Sequence, residues 1–221
     1  MAQIAEDLFL LLLDNASAQP SLDRARRERV LSAAVLLDLA HACRIRPAMA
    51  GEPVETGRLV ALSVPGPIDP VVAPAFELLQ RKPLRPTTAV KRLSKHTEGN
   101  LTGYLEYTGQ IRRVRLYGKR FSHPYAWPLI NRERVGLARA ALLSALFDRK
   151  PPAAPTAAII TLLHAADGLG ALLSLNDRGW RWVHARAGEI AMGSWVDEYP
   201  TALPEMNLAI TASAIRGALA S

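Results

Sequence analysis

Apolar residues recur at helical spacing along most of this chain. Residues 4–13 (IAEDLFLLLL) are apolar almost all round after the first turn, which is typical of a buried helix. Val30, Ala34 and Leu37 repeat at helical spacing and predict a long helix over residues 24–43. Similar patterns and capping residues predict further helices over residues 70–79, 88–96, 101–107, 156–175, 177–191 and 205–219, and one that Asn131 caps and that ends at Phe147. The chain is therefore predicted to be mostly α-helical.

Two stretches have the pattern of β-structure instead. Residues 57–64 (GRLVALSV) alternate loosely and predict one strand. Residues 109–128 (GQIRRVRLYGKRFSHPYAWP) predict a β-hairpin, and this hairpin is also the most basic part of the chain. The prolines within residues 151–155 mark the best candidate for an internal boundary. We nevertheless expect a single domain over residues 1–221, because the apolar N- and C-terminal helices need each other's faces.

The charge balance narrows the classes of partner. The chain has 221 residues, and 27 Lys plus Arg against 20 Asp plus Glu give it a net charge of +7. Such an excess raises the affinity for nucleic acid or anionic lipid and says nothing about the fold. The single cysteine, Cys43, excludes an intrachain disulfide and fits a reducing compartment.

The apolar runs of the sequence indicate where in the cell the protein is located. Glu6 and Asp7 precede the first apolar run, which argues against a signal peptide. No apolar run approaches the roughly 20 residues that span a bilayer. We therefore expect a cytoplasmic protein whose contact with a membrane is peripheral.

Catalytic and metal-binding patterns are absent from the sequence. The five histidines lie far apart, and no two have the spacing of metal ligands. His164 and Asp167 are three residues apart, so we predict that they share a helix face and form a structural hydrogen bond rather than an acid–base pair. Cys43 has no neighbouring base in the sequence and needs no role beyond that of a small buried hydrophobe. We therefore expect no enzyme activity, no metal and no cofactor.

The basic hairpin allows three interpretations. In the first, the predicted helices 88–96 and 101–107 precede it as in a winged helix that binds DNA, although the second helix carries Glu106 and no Arg, Lys or Gln to read bases. In the second, its arginines pair with lipid head groups. Its apolar residues, namely Leu116, Tyr117 and Phe121, would then enter the membrane interface.

In the third interpretation, the hairpin is purely structural and packs on the same chain or on a sister subunit in a homo-oligomer. From the residues alone, the structural and lipid interpretations stand level, and nucleic-acid binding ranks behind both.

Six stretches, in order, resemble sequence patterns of the GPP34 family, whose eukaryotic members are the Golgi phosphoprotein 3 proteins. They are residues 4–14 (IAEDLFLLLLD), 36–45 (LLDLAHACRI), 64–78 (VPGPIDPVVAPAFEL), 101–111 (LTGYLEYTGQI), 162–169 (LLHAADGL) and 186–195 (RAGEIAMGSW). Cys43 stands where the family pattern usually has glycine, and the last stretch is close to the pattern of bacterial members.

The resemblance implies a central helical bundle wrapped by amphipathic helices and loops, with one β-hairpin. It also implies a non-catalytic adaptor that binds membranes peripherally through phosphatidylinositol 4-phosphate, and a hairpin that makes oligomer contacts. The positions that match the family's lipid pocket are Asp23, Ser32, Lys95 and Glu98, and only Lys95 keeps the basic character of the pattern. These departures leave open which anionic lipid is bound.

We predict a lipid-binding surface made of the basic residues near these positions and on the hairpin, namely Arg24, Arg26, Arg27, Lys91, Arg92, Lys95, Arg112, Arg113 and Arg115. The predicted partner is therefore an anionic phospholipid or phosphoinositide membrane surface.

Overall fold

The computed structural model describes residues 3–116, 124–197 and 202–219. Over these ranges the chain forms nine α-helices: α1 (Gln3–Leu13), α2 (Arg24–His41), α3 (Ala73–Arg81), α4 (Pro86–Tyr107), α5 (Glu133–Phe147), α6 (Ala154–Ala165), α7 (Asp177–Ala191), α8 (Ser194–Asp197) and α9 (Leu203–Arg216). The described strands form two antiparallel pairs, β1 (Ile45–Pro47) with β2 (Leu59–Ala61), and β3 (Val114–Arg115) with β4 (Tyr125–Ala126). The prediction of a mostly α-helical fold with a β-hairpin is confirmed.

Helices α1, α2 and α6 lie at the centre of the core. Every residue of α1 after Gln3 is buried, and α2 is buried without a break from Val30 to Ala40. The middle of α6 is equally buried, and α4, α5, α7 and α9 pack around these three helices. This arrangement explains the sequence pattern, because a helix that is apolar on all faces needs neighbours on all sides.

Asp38 ties the two most buried helices together. Its carboxylate lies within α2 and accepts the backbone N–H groups of Ile4 and Ala5, each at 2.9 Å. These N–H groups have no partner within α1, because the first turn of a helix has none. A side chain of α2 thus serves as the N-terminal cap of α1.

The turn after α2 is held by a distant residue. Cys43 adopts a left-handed conformation with φ of 53°, a region that favours glycine. Asn207 of α9 donates hydrogen bonds from its side-chain nitrogen to the carbonyl oxygens of Ala40 at 2.6 Å and Ile45 at 2.8 Å. Strand β1 follows this turn directly and was not predicted, since three residues are too few to show an alternating pattern.

Two predicted boundaries are wrong. The predicted helices 88–96 and 101–107 are one continuous helix, α4, because Gly99 is helical and does not interrupt it. The helix–turn–helix that the DNA-binding interpretation requires is therefore missing at this position. The predicted helix 156–175 ends at Ala165, since Asp167 has a positive φ of 50° and a short 3-10 turn, Leu169–Ala171, follows.

The hairpin rests on the loop between α1 and α2. Val114 pairs with Ala126 and Arg115 with Tyr125 in its ladder. The backbone N–H of Trp127 donates to the carbonyl of Ala18 at 2.7 Å, which fixes the base of the hairpin. Residues 117–123, which lie between the two strands in the sequence, are outside the described ranges.

Candidate functional site

The first turns of α2 lie beside the middle of α4. Arg27 Nε is 3.0 Å from Glu98 Oε1, and the hydroxyls of Ser32 and Thr97 are 3.2 Å apart. The fold thus brings together three of the four positions that match the family's lipid pocket, Ser32, Lys95 and Glu98, because Lys95 is one turn from Glu98 on α4. Two of these three are occupied by contacts within the chain.

The arginines of α2 are paired within the chain. Arg24 pairs with Glu28 at 2.7 Å, and Arg26 pairs with Asp23, which also caps the helix by accepting the N–H of Arg26 at 3.0 Å. These contacts with Arg26 lower the pKa of the Asp23 carboxyl. Arg27 is buried, with 3% of its side chain exposed, and forms the ion pair with Glu98. The predicted site residue Arg27 therefore does not face solvent.

The basic residues of α4 are arranged differently. Lys91, Arg92 and Lys95 are all exposed, and none of them makes an ion pair within the ranges that the structure describes. Lys91 and Lys95 are four residues apart and so lie on one face of the helix. Among the predicted residues, these three form the most available positive surface.

The hairpin arginines lie at the other end of α4. Arg113 makes a two-pronged ion pair with Glu106, at 3.0 and 2.8 Å, and its guanidinium carbon lies 5.4 Å from the ring centroid of Tyr125. Glu106 is about three turns beyond Lys95, roughly 16 Å along the helix axis. The hairpin and the middle of α4 therefore do not share one pocket.

The structure describes only some of the other residues that were predicted to act on the hairpin. Arg112 and Arg115 are exposed, and Leu116 is half-buried. Tyr117 and Phe121, predicted to insert into a membrane or to contact a sister subunit, lie outside the described residues.

His164 and Asp167 do not form the predicted hydrogen bond. Asp167 lies beyond the end of α6, its side chain is 90% exposed, and its carboxylate is 3.9 Å from Arg26 Nη1. The His164 ring lies 5.7 Å from the His184 ring, between centroids, and its buried Nδ1 has no hydrogen-bond partner among the described residues. Burial lowers the pKa of His164, and the neighbouring His184 adds to this effect. The prediction is wrong because the helix ends before Asp167.

A large groove of about 1000 Å³ opens between α1, α5 and α6, with Trp195 of α8 and Glu205 of α9 also lining it. Its apolar wall includes Leu137 and Trp195, and its polar wall includes Arg134. Arg134 contacts Glu6 and Asp7 of α1, each at 2.6 Å. Burial raises the pKa of both carboxyl groups, while Arg134 opposes this shift. Sequence reasoning missed this groove, whose only sequence signal is the run of prolines at residues 151–155 that forms one side.

A smaller depression of about 240 Å³ lies between α2, α3 and α4. Apolar side chains line its interior, and its exposed edge carries polar residues, namely Glu77, Arg81, Arg92, His96 and Asn100. Of these polar residues, only Arg92 was predicted as a site residue. The signals for the others were the four-residue spacing of Arg92 and His96 and the position of Arg81 in the basic connector.

No helix within the described ranges is both long and apolar enough to cross a bilayer. The same part of the chain contains no group of three His, Cys, Asp or Glu side chains that could hold a metal ion.

Comparison with known proteins agrees with the six sequence stretches. No curated protein matches the chain significantly. The family model described as Golgi phosphoprotein 3 (GPP34) matches residues 4–203, which is nearly the whole chain and includes every element from α1 to α8. The chain therefore belongs to the GPP34 family.

Proposed function

We propose that this protein is a non-catalytic adaptor that binds anionic membrane surfaces peripherally, through phosphoinositide or other anionic head groups. The observation that carries the proposal is the row of exposed cations on α4, Lys91, Arg92 and Lys95, which lack acidic partners within the described structure. Membership of the GPP34 family supports it. The proposed location is the cytoplasm, with reversible attachment to membranes.

The energetics fit a reversible attachment. Each basic residue near an anionic surface contributes about 1 kcal/mol, so three cations give about 3 kcal/mol. Arg112 and Arg115 of the hairpin can add to this if the same side of the molecule faces the membrane. Arg24, Arg26 and Arg113 contribute less, because an acid already neutralises each of them.

The hairpin has a separate proposed role. We propose that the hairpin inserts into the membrane interface, or contacts a second copy of the chain, through Leu116, Tyr117 and Phe121. The alternative of a winged-helix protein that binds nucleic acid has lost its main support, because α4 is continuous.

Vesicle flotation tests the proposal directly. Wild-type protein should float at low salt with vesicles that contain phosphatidylserine or phosphatidylinositol 4-phosphate, and not with neutral phosphatidylcholine vesicles. The double variant Lys91→Glu/Lys95→Glu should bind at least about tenfold more weakly, because it replaces two attractive charges by two repulsive ones.

The matched control is Arg178→Glu/Arg181→Glu. Both arginines are exposed on α7, and this double variant changes the net charge of the protein by the same amount. It should retain binding close to that of the wild type. Absence of wild-type flotation with either anionic lipid at low salt would overturn the proposed function.

A further inference from the structure

We infer that the outer face of α9 binds a second copy of the chain, with the two α9 helices antiparallel across a two-fold axis at Ile210. The inference goes beyond the proposed membrane function, and this surface is separate from the hairpin. Five residues, which we call the α9 stripe, follow one another at spacings of three and four, namely Leu203, Met206, Ile210, Ser213 and Gly217. This is the spacing of residues that meet a partner helix in a coiled coil.

The first half of the α9 stripe is apolar and exposed. The exposed fractions of Leu203, Met206 and Ile210 are 70%, 46% and 58%, whereas Leu208 and Ile215 on the opposite face are fully buried. A surface helix normally turns its apolar residues to the core and polar residues to water. Because α9 has large apolar residues on both faces, its outer stripe is left unburied within the described part of the chain.

The α9 stripe carries no charge. The charged residues of α9 are Glu205 and Arg216, which lie about a quarter of a turn away from the stripe. Arg216 Nη1 also donates to the carbonyl of Ala191 at 3.0 Å. Helices that lie in a membrane interface are rich in Lys and Arg beside the apolar stripe. A protein partner therefore fits this face better than a membrane does, and two chains of net charge +7 can meet here without like charges in the contact.

The sizes of the side chains select the partner and its orientation. Leu203 lies seven residues before Ile210, and Gly217 lies seven residues after it. Met206 and Ser213 lie four before and three after. In an antiparallel pair centred on Ile210, each large residue faces a small one of the second copy, whereas a parallel pair would place large against large and leave gaps. A patch that is complementary to itself is what a two-fold symmetric interface requires.

The far end of the stripe has room for the side chains of the second copy. A Cβ added at Gly217 would meet no described atom within 4 Å outside the adjoining backbone. Met192 lies beside this end, because its Sδ is 3.1 Å from Arg216 Nη1, and it is 74% exposed. The apolar contact can therefore extend beyond α9 onto Met192.

The size of the contact sets its strength. Helix α9 has 14 residues and is therefore about 20 Å long. Interfaces that bury less than about 1,200 Å² in total are typical of weak or transient pairs. We expect one pair of α9 helices to fall in this class, with a dissociation constant of about 1 µM or weaker.

Sedimentation equilibrium of the full chain, without lipid, tests the contact. The mean mass should rise with protein concentration from that of one chain. Met206→Lys/Ile210→Lys should raise the dissociation constant at least about tenfold, because it places charges in the middle of an apolar contact. The control Tyr107→Lys/Trp182→Lys makes the same change at exposed aromatic residues of α4 and α7 and should associate like the wild type. Circular dichroism checks that both variants are folded.

Cysteine crosslinking tests the orientation. The native cysteine is first replaced by Cys43→Gly, since its φ of 53° suits glycine. In this background, a mixture of Leu203→Cys and Gly217→Cys proteins should form disulfide-linked dimers, and Ile210→Cys should link to itself. Leu203→Cys alone should not, because the two copies of residue 203 lie about 20 Å apart in the antiparallel pair, and a disulfide needs Cα atoms within about 7 Å.

The outcomes separate this inference from the other proposals. A wild-type mass of one chain up to about 1 mM overturns the contact. An oligomer that Met206→Lys/Ile210→Lys leaves unchanged also overturns it and leaves the hairpin proposal intact. Crosslinking of Leu203→Cys to itself in preference to Gly217→Cys overturns the antiparallel arrangement.

The membrane alternative has its own signature. A wild-type protein that stays monomeric, and whose vesicle flotation is abolished by Met206→Lys/Ile210→Lys, overturns the contact and assigns this face to the membrane. A dimer that depends on Ile210, without any flotation, supports the contact and overturns the proposed membrane function.

Discussion

Asp38 is the residue at which the two most buried helices meet. Its carboxylate accepts two backbone N–H groups of α1. Burial raises the pKa of Asp38 to about 8, although the hydrogen bonds from Ala5 and Ile4 act in the opposite direction. The helix cap that joins α1 to α2 is therefore sensitive to pH.

This sensitivity gives a prediction at the scale of one residue. Because the pKa of Asp38 is higher in the folded state than in the unfolded one, the folded protein binds a proton more tightly between about pH 4 and about pH 8. The free energy of unfolding should fall as pH rises through this window, by up to about 1.4 kcal/mol per unit, relative to the variant Asp38→Asn. Urea unfolding of both proteins across the window measures this; a difference independent of pH would contradict it.

Helix α4 is the element that organises the proposed site, since it carries Lys91, Arg92, Lys95 and His96 on one continuous frame. Gly99 and Gly103 lie inside this helix, and a Cβ at either position would meet no described atom within 4 Å apart from the neighbouring backbone of the helix itself. Gly99 lies in the gap between the two helices that the sequence predicted, 88–96 and 101–107. A continuous helix fixes the spacing of the cations, which a turn at this position would not do.

The continuity of α4 can be tested by glycine substitution. Gly99→Ala should raise the free energy of unfolding by about 0.5–1 kcal/mol, because alanine favours the helix and space is free. The matched control is Gly109→Ala: it also has free space, but its φ is +71°, so the substitution should destabilise by about 1 kcal/mol or more. Destabilisation by Gly99→Ala in thermal or urea unfolding would indicate a turn instead.

The hairpin is the second element with a proposed role. Its arginines lie at the far end of α4 from Lys95, and Arg113 is already paired with Glu106. Because the hairpin is proposed to contact a second copy of the chain, deletion of residues 112–121 should change the oligomeric mass, measured by light scattering. Most vesicle binding should remain, because the cations of α4 are still present. Complete loss of vesicle binding by a folded deletion variant would transfer the proposed membrane contact from α4 to the hairpin.

At the scale of the whole molecule, the net charge of +7 is less important than its distribution. Buried or half-buried pairs such as Arg27–Glu98 and Arg134–Glu6 hold elements together and do not contribute attraction at a distance. Among the described residues, α3 and α4 carry a group of exposed cations without an acidic partner, namely Arg81, Lys91, Arg92 and Lys95. The electrostatic partner of the molecule should therefore bind on this one side.

The salt dependence of vesicle binding tests whether exposed cations supply the attraction. Raising the ionic strength from about 0.01 M to about 1 M shortens the screening length from about 30 Å to about 3 Å. Binding of the wild type to phosphatidylserine vesicles should fall by at least about tenfold over this range, because exposed cations supply the attraction. Binding that resists high salt, measured by flotation, would mean that apolar insertion dominates.

The sequence by itself determined the helices that form from a local pattern of residues. The apolar run of α1, the periodicity of α2 and the helical pattern over residues 177–191 predicted these helices to within a few residues, since helical spacing acts over one or two turns. The order of six stretches identified the family. The sequence also placed an excess of positive charge in α4.

The tertiary structure alone decided which charges are available. Arg27 and Lys95 look equivalent in the sequence, yet Arg27 is buried against Glu98, while Lys95 is exposed. Arg81 and His96 line one depression only because α3 and α4 converge over α2. Ion pairs and depressions depend on contacts between residues that are far apart in the chain, and no local pattern records those contacts.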